Sequence, residues 1–400
     1  MSERDPAPLR VLAVSSSRQV WGAELATMAL AGRLAPRGVF ITLGSPPGGD
    51  LEEQWRGLGL PYVPLALPDH HGLRAADAHS RPGAGSLARE LVASARSVGT
   101  IAGAARRFDL VHCHSLWAHL DAALAGRLAR RPVVLELNDL IRPGLGRRVL
   151  TAAVELSTAA VAISQAVADC VGPRGARRVR IVAPAVDLDR FGPGPAPAGR
   201  RALLTSDEGA PLVGIVGRVD PEKGVDVLVR AMGLMQGPAA DAHLVVVGSA
   251  GLAPDGYFER VRAEAERTLG DRVRFVGRSA DVPGTLRALD VLVNASVAEP
   301  FGLSVLEAQA SGVAVIGTRA GGIPDFVFDD DNGLLVPSGD DQAMAKALDR
   351  LITDGELRTR LAARGRVTAR ARGIETRAEA IAEVYRRARR RLPVSPGGGR

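Results

Sequence analysis

Short apolar runs alternate with segments of helical period along nearly the whole chain. The alternation starts over once, after Gly192-Pro-Gly-Pro-Ala-Pro197. No other feature constrains the fold as much. Strand, helix and strand in succession form the crossover unit of a parallel sheet whose two faces are covered by helices. Before the break the strand candidates are residues 9–14, 40–43, 62–67, 109–114, 132–137, 160–163 and 179–182. After it they are 212–216, 243–247, 273–276, 289–296, 314–317 and 333–336. The prolines around 62–67 point to an edge strand. The expected fold is therefore α/β, with two doubly wound parallel-sheet, Rossmann-like domains facing across a cleft. The first spans 1–191, a Pro/Gly linker 192–210, and the second domain 211–373. A C-terminal helix over 374–391 is expected to return to the first domain, and 392–400 reads as a disordered tail. A length of 400 residues suits two domains. Ligands bind at the strand C-termini that line such a cleft.

Charge and cysteine usage narrow the function classes. The net charge of +7 admits nucleic acid, an anionic membrane surface or an anionic substrate. The basic residues are almost all Arg, spread along the chain without an aromatic-interleaved basic motif, so no nucleic acid is expected as a partner. The Arg excess suits peripheral docking on the anionic inner face of a membrane. Cys113 and Cys170 have neither metal nor disulfide spacing and read as reduced thiols. The N-terminus is polar, the apolar run at 11–14 is too short for a signal-peptide core, and no segment approaches the roughly 18 apolar residues of a membrane span. A cytoplasmic protein is expected. The polar stretch 69–85 holds His70, His71 and His79 without metal-ligand spacing and reads as a loop.

The chemistry concentrates in two strand-to-helix turns of the second half. Glu299-Pro-Phe-Gly-Leu-Ser-Val-Leu-Glu307 follows a buried strand and runs into a helix that ends near Gly312. Gly302 allows close backbone approach. The helix start offers free N–H groups and a positive dipole end, which favour phosphate. A carboxylate on each side makes sense when the phosphate carries hydroxyl-rich groups at both ends, because carboxylates accept hydrogen bonds from hydroxyls. A nucleotide diphosphate sugar is such a molecule. Glu299 as an ordinary turn residue and Glu307 as a solvated helix residue remain the alternative. The second turn, Gly217-Arg-Val-Asp-Pro-Glu-Lys-Gly224, lies where a doubly wound sheet binds phosphate. Arg218 offers a planar fork and Lys223 a point charge, or both are surface charges of an ordinary loop.

These motifs, with Gly321-Gly-Ile-Pro324 and Asn332-Gly-Leu-Leu-Val-Pro337 in the same order, resemble glycosyltransferase family 4, retaining enzymes of the GT-B fold. Trp21-Gly-Ala-Glu24, the strand 109–114 and Ala183-Pro-Ala-Val-Asp-Leu-Asp-Arg-Phe191 extend the resemblance more loosely over the first half. It implies that Arg218 and Lys223 neutralise the donor diphosphate, that Glu307 binds ribose hydroxyls and that Glu299 holds the transferred sugar. It implies that backbone N–H groups at Gly302, Leu303 and Ser304, beside Phe301, meet phosphate or sugar oxygens. Gly277 and Arg278 border the base. Gly22 lets a helix N-terminus approach the diphosphate, and His114 faces the sugar and acceptor. His112 and His114 share a strand face, with hydrogen-bonded structural histidines as the alternative. Ser164 reads as a helix cap. Asn138-Asp139 stands where relatives carry His-Asp, Pro184-Ala185 where they carry Asn-Gly, and Asp325 where Glu is commoner.

The implied reaction is transfer of a sugar, with retention, from a UDP- or GDP-sugar to an acceptor hydroxyl in cell-surface glycan, glycolipid or secondary-metabolite synthesis. No cofactor and no metal are expected, since Arg218, Lys223 and helix N-termini supply the positive charge. The rival readings are a nucleotide-sugar epimerase of the same fold and a non-catalytic nucleotide-sugar-binding protein. A pyridoxal-dependent phosphorylase would need a Schiff-base lysine in the cleft, and lysine is scarce here.

Overall fold

The computed structural model describes residues 8–68, 84–250 and 256–391. The chain divides into two compact units, one of residues 1–184 with 374–400, the other of residues 185–373. The expected boundary at 191 is therefore corrected to 184/185. Residues 185–191 belong to the second unit because Val186 forms a parallel bridge with Gly373 and the Phe191 ring is buried. The segment expected as a linker carries a helix, Arg200–Leu204. Arg201 anchors it, donating to the carbonyls of Ala288 and Ala210 and to Asp290 Oδ2. His70, His71, His79 and the tail 392–400 lie outside the described residues.

The first unit is built on seven parallel strands: β1 Leu9–Val14, β2 Val39–Ser45, β3 Tyr62–Pro64, β4 Leu110–Cys113, β5 Val133–Leu137, β6 Ala159–Ala162 and β7 Val179–Ile181. Their order is β3-β2-β1-β4-β5-β6-β7. β3 is the edge, where the missing N–H of Pro64 costs no ladder bond. β1, β4 and β5 are almost wholly apolar and buried, as strands covered on both faces must be. The C-terminal helix Ile374–Arg390 completes this unit. Ala378, Ile381, Ala382, Tyr385 and Ala388 recur at three- and four-residue steps and join the core formed with Val11, Leu30, Leu34 and Trp55.

The second unit has six parallel strands: β8 Leu212–Val216, β9 His243–Val247, β10 Val273–Gly277, β11 Val291–Asn294, β12 Ala314–Thr318 and β13 Leu334–Val336. Their order is β10-β9-β8-β11-β12-β13. Each sheet has one place where the connection direction reverses, between β1 and β4 in the first unit and between β8 and β11 in the second. Ligands of open α/β sheets bind just beyond the strand C-termini at such a switch point.

Candidate active site

In the second unit the turns after β8 and β11 meet at the switch point. Gly224 makes the meeting possible. It adopts φ +64°, and a Cβ there would sit 2.2 Å from the carbonyl oxygen of Ala295. The close approach brings Lys223 Nζ to 2.8 Å from Glu299 Oε2. Asn294 Nδ2 and Ser296 Oγ donate to the same oxygen, at 3.1 and 3.0 Å. Three donors thus converge on Oε2 of this buried carboxylate, leaving Oε1 as its other acceptor. Burial alone would raise the Glu299 carboxyl. The Lys223 ammonium and the Asn294 and Ser296 bonds outweigh it and hold the group below its ordinary value. The Gly321-Gly322 pair forms the floor of the turn. Gly322 N–H donates to the Glu299 carbonyl at 2.9 Å, and a Cβ on Gly321 would lie 1.8 Å from that carbonyl oxygen.

Helix Leu303–Ser311 starts directly beyond, with Gly302 at φ +101° as its N-cap. The N–H groups of Val305 and Leu306 turn to the Gly302 carbonyl. Those of Leu303 and Ser304, in the first turn, have no intrahelical acceptor and present the positive end of the helix. Phe301 departs from its expected place beside the ligand. Its ring is buried and stacked on Phe326 at 4.8 Å between centroids, so the side chain fastens the turn from inside.

Glu307, one turn into the helix, is half-buried and makes no hydrogen bond among the described residues. Burial pushes its carboxyl up to about 7, opposed only in part by Arg190. A carboxyl that folds with a raised pKa binds its proton more tightly folded than unfolded. Its ionisation therefore removes stability as pH rises from about 4.5 through about 7. Glu307→Gln should melt close to the unmutated protein at about pH 5 and a few degrees above it at about pH 8. Melting curves of the two that stay parallel across this range would refute the assignment of a strained, unpartnered carboxyl.

Arg218 is part-exposed, with Nη2 3.3 Å from Asp220 Oδ2. Asp220 is buried, and its Oδ1 has no hydrogen-bond partner among the described residues. Gly277 and Arg278 lie at the end of β10, where the Gly277 carbonyl accepts the Gly248 N–H at 2.8 Å. The ends of β8, β9 and β10 thus border one another. Asn332, by contrast, is structural. Its amide donates to the Phe326 carbonyl and to Thr368 Oγ1, and its Oδ1 accepts the Phe328 N–H.

In the first unit, Gly22 opens helix Gly22–Leu34, and a Cβ there would meet nothing within 4 Å. The fold itself does not require glycine at that position. His114 follows β4 and is buried. Its Nε2 lies 3.5 Å from Glu24 Oε1, and its carbonyl accepts the Asn138 amide at 3.1 Å. His112 is part of the interior. Tyr385 Oη is 2.9 Å from its Nδ1, Glu136 Oε2 is 3.2 Å from its Nε2, and burial lowers its pKa. Ser164 caps its helix, accepting the Val167 N–H at 3.2 Å. Glu24 stands in the Trp21–Glu24 stretch that the sequence singles out, without a role of its own there. An acid in the third position after a helix start is a capping pattern, and that pattern was the available signal.

Among the described residues no group of His, Cys, Asp and Glu is placed to hold a metal ion. None of their helices is long and apolar enough to cross a membrane.

Two units, each built on a doubly wound parallel sheet with polar side chains at its switch point, make up the architecture of the GT-B fold. Residues 200–368 match the family described as glycosyl transferases group 1, and residues 20–190 match glycosyltransferase family 4. The D-inositol 3-phosphate glycosyltransferase of Streptomyces griseus is 31% identical over 392 residues, 90% of this chain and 79% of that one. Its namesake from Saccharomonospora viridis is 36% identical over 218 residues, 52% of this chain and only half of the relative's length. The fold is that of HepE from Anabaena in complex with UDP-glucose (TM-score 0.78, 24% identity, covering 95% of this chain and 100% of that one). It is also that of sucrose-phosphate synthase from Thermosynechococcus elongatus (TM-score 0.74, 22% identity, 95% and 98%). The chain belongs to glycosyltransferase family 4 and is a glycosyltransferase.

Proposed function

We propose that this glycosyltransferase moves a sugar from a nucleotide diphosphate sugar to an acceptor hydroxyl, with retention at the anomeric carbon and without a metal ion. The observation that carries the reading is the Lys223–Glu299 pair at 2.8 Å, set at the switch point beside the start of helix Leu303–Ser311. Lys223 keeps two ammonium protons for a diphosphate while its third holds Glu299 in place. Arg218 adds a fork for the same phosphates. Glu299 Oε1 accepts a sugar hydroxyl, and Glu307 accepts the ribose hydroxyls. Gly277 and Arg278 border the base. Leaving-group charge is met by preorganised donors, the cations and the N–H groups of Leu303 and Ser304. In the first unit, Gly22 leaves a helix start open to an anion and His114 handles hydroxyls. That HepE was solved with UDP and with UDP-glucose supports a uridine nucleotide as first candidate. The names of the curated relatives put a phosphorylated inositol among the acceptors to try. Attachment to an anionic membrane surface stays a separate proposal resting on the Arg excess.

The test is a thermal-shift panel of UDP, GDP, ADP, TDP and their sugars, run in EDTA, since bound ligand raises the melting point by mass action. Lys223→Ala should weaken the stabilising nucleoside diphosphate by about tenfold or more and leave the matching nucleoside nearly unchanged. Equal losses for both, or binding that needs added Mg²⁺, would show that the phosphate site has been assigned to the wrong groups. An epimerase would instead convert the sugar nucleotide with no acceptor present.

A further inference from the structure

The first unit's switch point holds a second carboxylate to which neither motif nor comparison assigns a role. Glu24 lies in the first turn of helix Gly22–Leu34 and is buried. Its side chain folds back over the helix start. Oε2 accepts the Trp21 N–H at 3.2 Å, and Oε1 accepts the Ser15 hydroxyl at 2.9 Å. The same Oε1 lies 3.5 Å from His114 Nε2, long for a hydrogen bond and within ion-pair reach. Ser15 and His114 directly follow Val14 and Cys113, which are register partners of β1 and β4. One carboxylate therefore joins the ends of the two strands that flank the switch point to the helix that starts there.

That geometry has a consequence for the histidine. A neutral imidazole carries its proton on one nitrogen and a lone pair on the other. A carboxylate oxygen beside Nε2 favours the proton at Nε2, because two lone pairs facing each other in a buried place repel. The lone pair is then on Nδ1; both ring nitrogens are buried, and neither makes a hydrogen bond among the described residues. Burial alone would raise the Glu24 carboxyl. The His114 ring, the Ser15 hydroxyl and a backbone bond outweigh it, so the group is held below its ordinary value and stays a carboxylate near neutrality. The neighbouring His112 has its own partners in Tyr385 and Glu136; Glu136 acts on His114 only through space, and Glu24 is the carboxylate in contact with it.

We propose that Glu24 is the positioning residue of His114, fixing its Nε2–H tautomer and ring orientation. This rests on the reading of His114 as a hydroxyl-handling group. Glu24 itself touches no substrate. Its cap on Trp21 N–H also ties ring orientation to the helix start at Gly22.

Long-range ¹H–¹⁵N spectra of the full chain report the tautomer without any ligand. The unmutated protein should show His114 protonated at Nε2, and Glu24→Gln and Glu24→Ala should shift it towards a mixture or to Nδ1–H. With the sugar nucleotide that stabilises most in the thermal-shift panel, both variants should lose kcat by about tenfold or more. The affinity for the free nucleotide, measured by calorimetry, should not change. In a His114→Ala background, Glu24→Gln should cost nothing further, since the two act as a unit. A merely structural Glu24 would lower stability and leave tautomer and kcat/KM split alone, and that result overturns the proposal. An Nδ1–H tautomer in the unmutated protein overturns it as well. If His114→Ala turns over normally while the tautomer shift in the Glu24 variants is seen, the hydroxyl-handling reading of His114 is what fails, and the positioning role falls with it.

Discussion

Arg377→Leu should destabilise the first unit by about 3–5 kcal/mol, the usual consequence of stripping one partner from a buried ion pair. Arg377 comes from the C-terminal helix and is almost fully buried. It donates to Glu136 Oε1 at 2.8 Å and to the Val182 carbonyl at 3.0 Å. Burial would raise the Glu136 carboxyl, but Arg377 and His112 outweigh it and hold the group at about 2. Without the guanidinium a buried carboxylate has only imidazole contacts. The sign follows from linkage. A carboxyl depressed from 4.5 to about 2 adds stability that is present above about pH 4.5 and is lost as pH falls towards 2. The variant no longer has that term, so its deficit should be largest near neutrality and shrink as pH falls from about 4.5 towards 2, where the parent's Glu136 takes up its proton. Urea unfolding at about pH 7 and about pH 3 measures both quantities. The double variant Arg377→Leu/Glu136→Leu should recover much of the loss, because well-packed apolar replacements of buried ion pairs are often neutral. An Arg377→Leu protein as stable as the parent would mean that the pair contributes nothing beyond packing.

Arg377 also marks the limit of what the sequence revealed. The strand–helix alternation was legible because a parallel sheet covered on both faces writes itself as short apolar runs, and all thirteen runs became strands. The turn at Glu299 and the loop ending at Lys223 were legible because glycines, a helix start and cations stand there in a fixed order along the chain. The partners of those residues were not. Glu136 lies inside an apolar strand and Arg377 on an Arg-rich helix, about 240 residues apart in sequence, and no local pattern links them. Phe301 was misplaced for a related reason. A loop aromatic beside a helix start can face either way, and the ring of Phe326, brought up by a later segment, decides the direction. The boundary at residue 184 escaped because a single bridge, Val186 to Gly373, joins segments that only the tertiary fold brings together. The linker prolines at 193, 195 and 197 were the louder signal and the less accurate one.

Glu299→Gln and Glu307→Gln should separate binding from chemistry at the second unit's switch point. In Glu299 the oxygen Oε2 is committed to Lys223, Asn294 and Ser296. A glutamine there will place its carbonyl oxygen towards those three donors and its amide NH₂ where Oε1 stood. The second acceptor becomes a donor and, on the proposed reading, can no longer take a sugar hydroxyl. An interaction that strengthens as charge redistributes in the transition state appears in kcat. The loss should be roughly 10- to 150-fold, the worth of a charge-assisted hydrogen bond. Free nucleoside diphosphate, which has no sugar to lose, should bind as well as before or slightly better, because Lys223 no longer shares its charge with a carboxylate. Glu307→Gln should do the reverse at about pH 8, where the carboxyl is ionised. Free nucleotide should weaken by up to the same factor, and kcat at saturating donor should change little. Calorimetry with the nucleoside diphosphate, alongside steady-state kinetics of both variants, measures the four quantities. If Glu299→Gln loses nucleotide affinity while Glu307→Gln keeps it, the two roles are exchanged. If none of the four moves, Lys223–Glu299 is a structural ion pair and the ligand lies elsewhere.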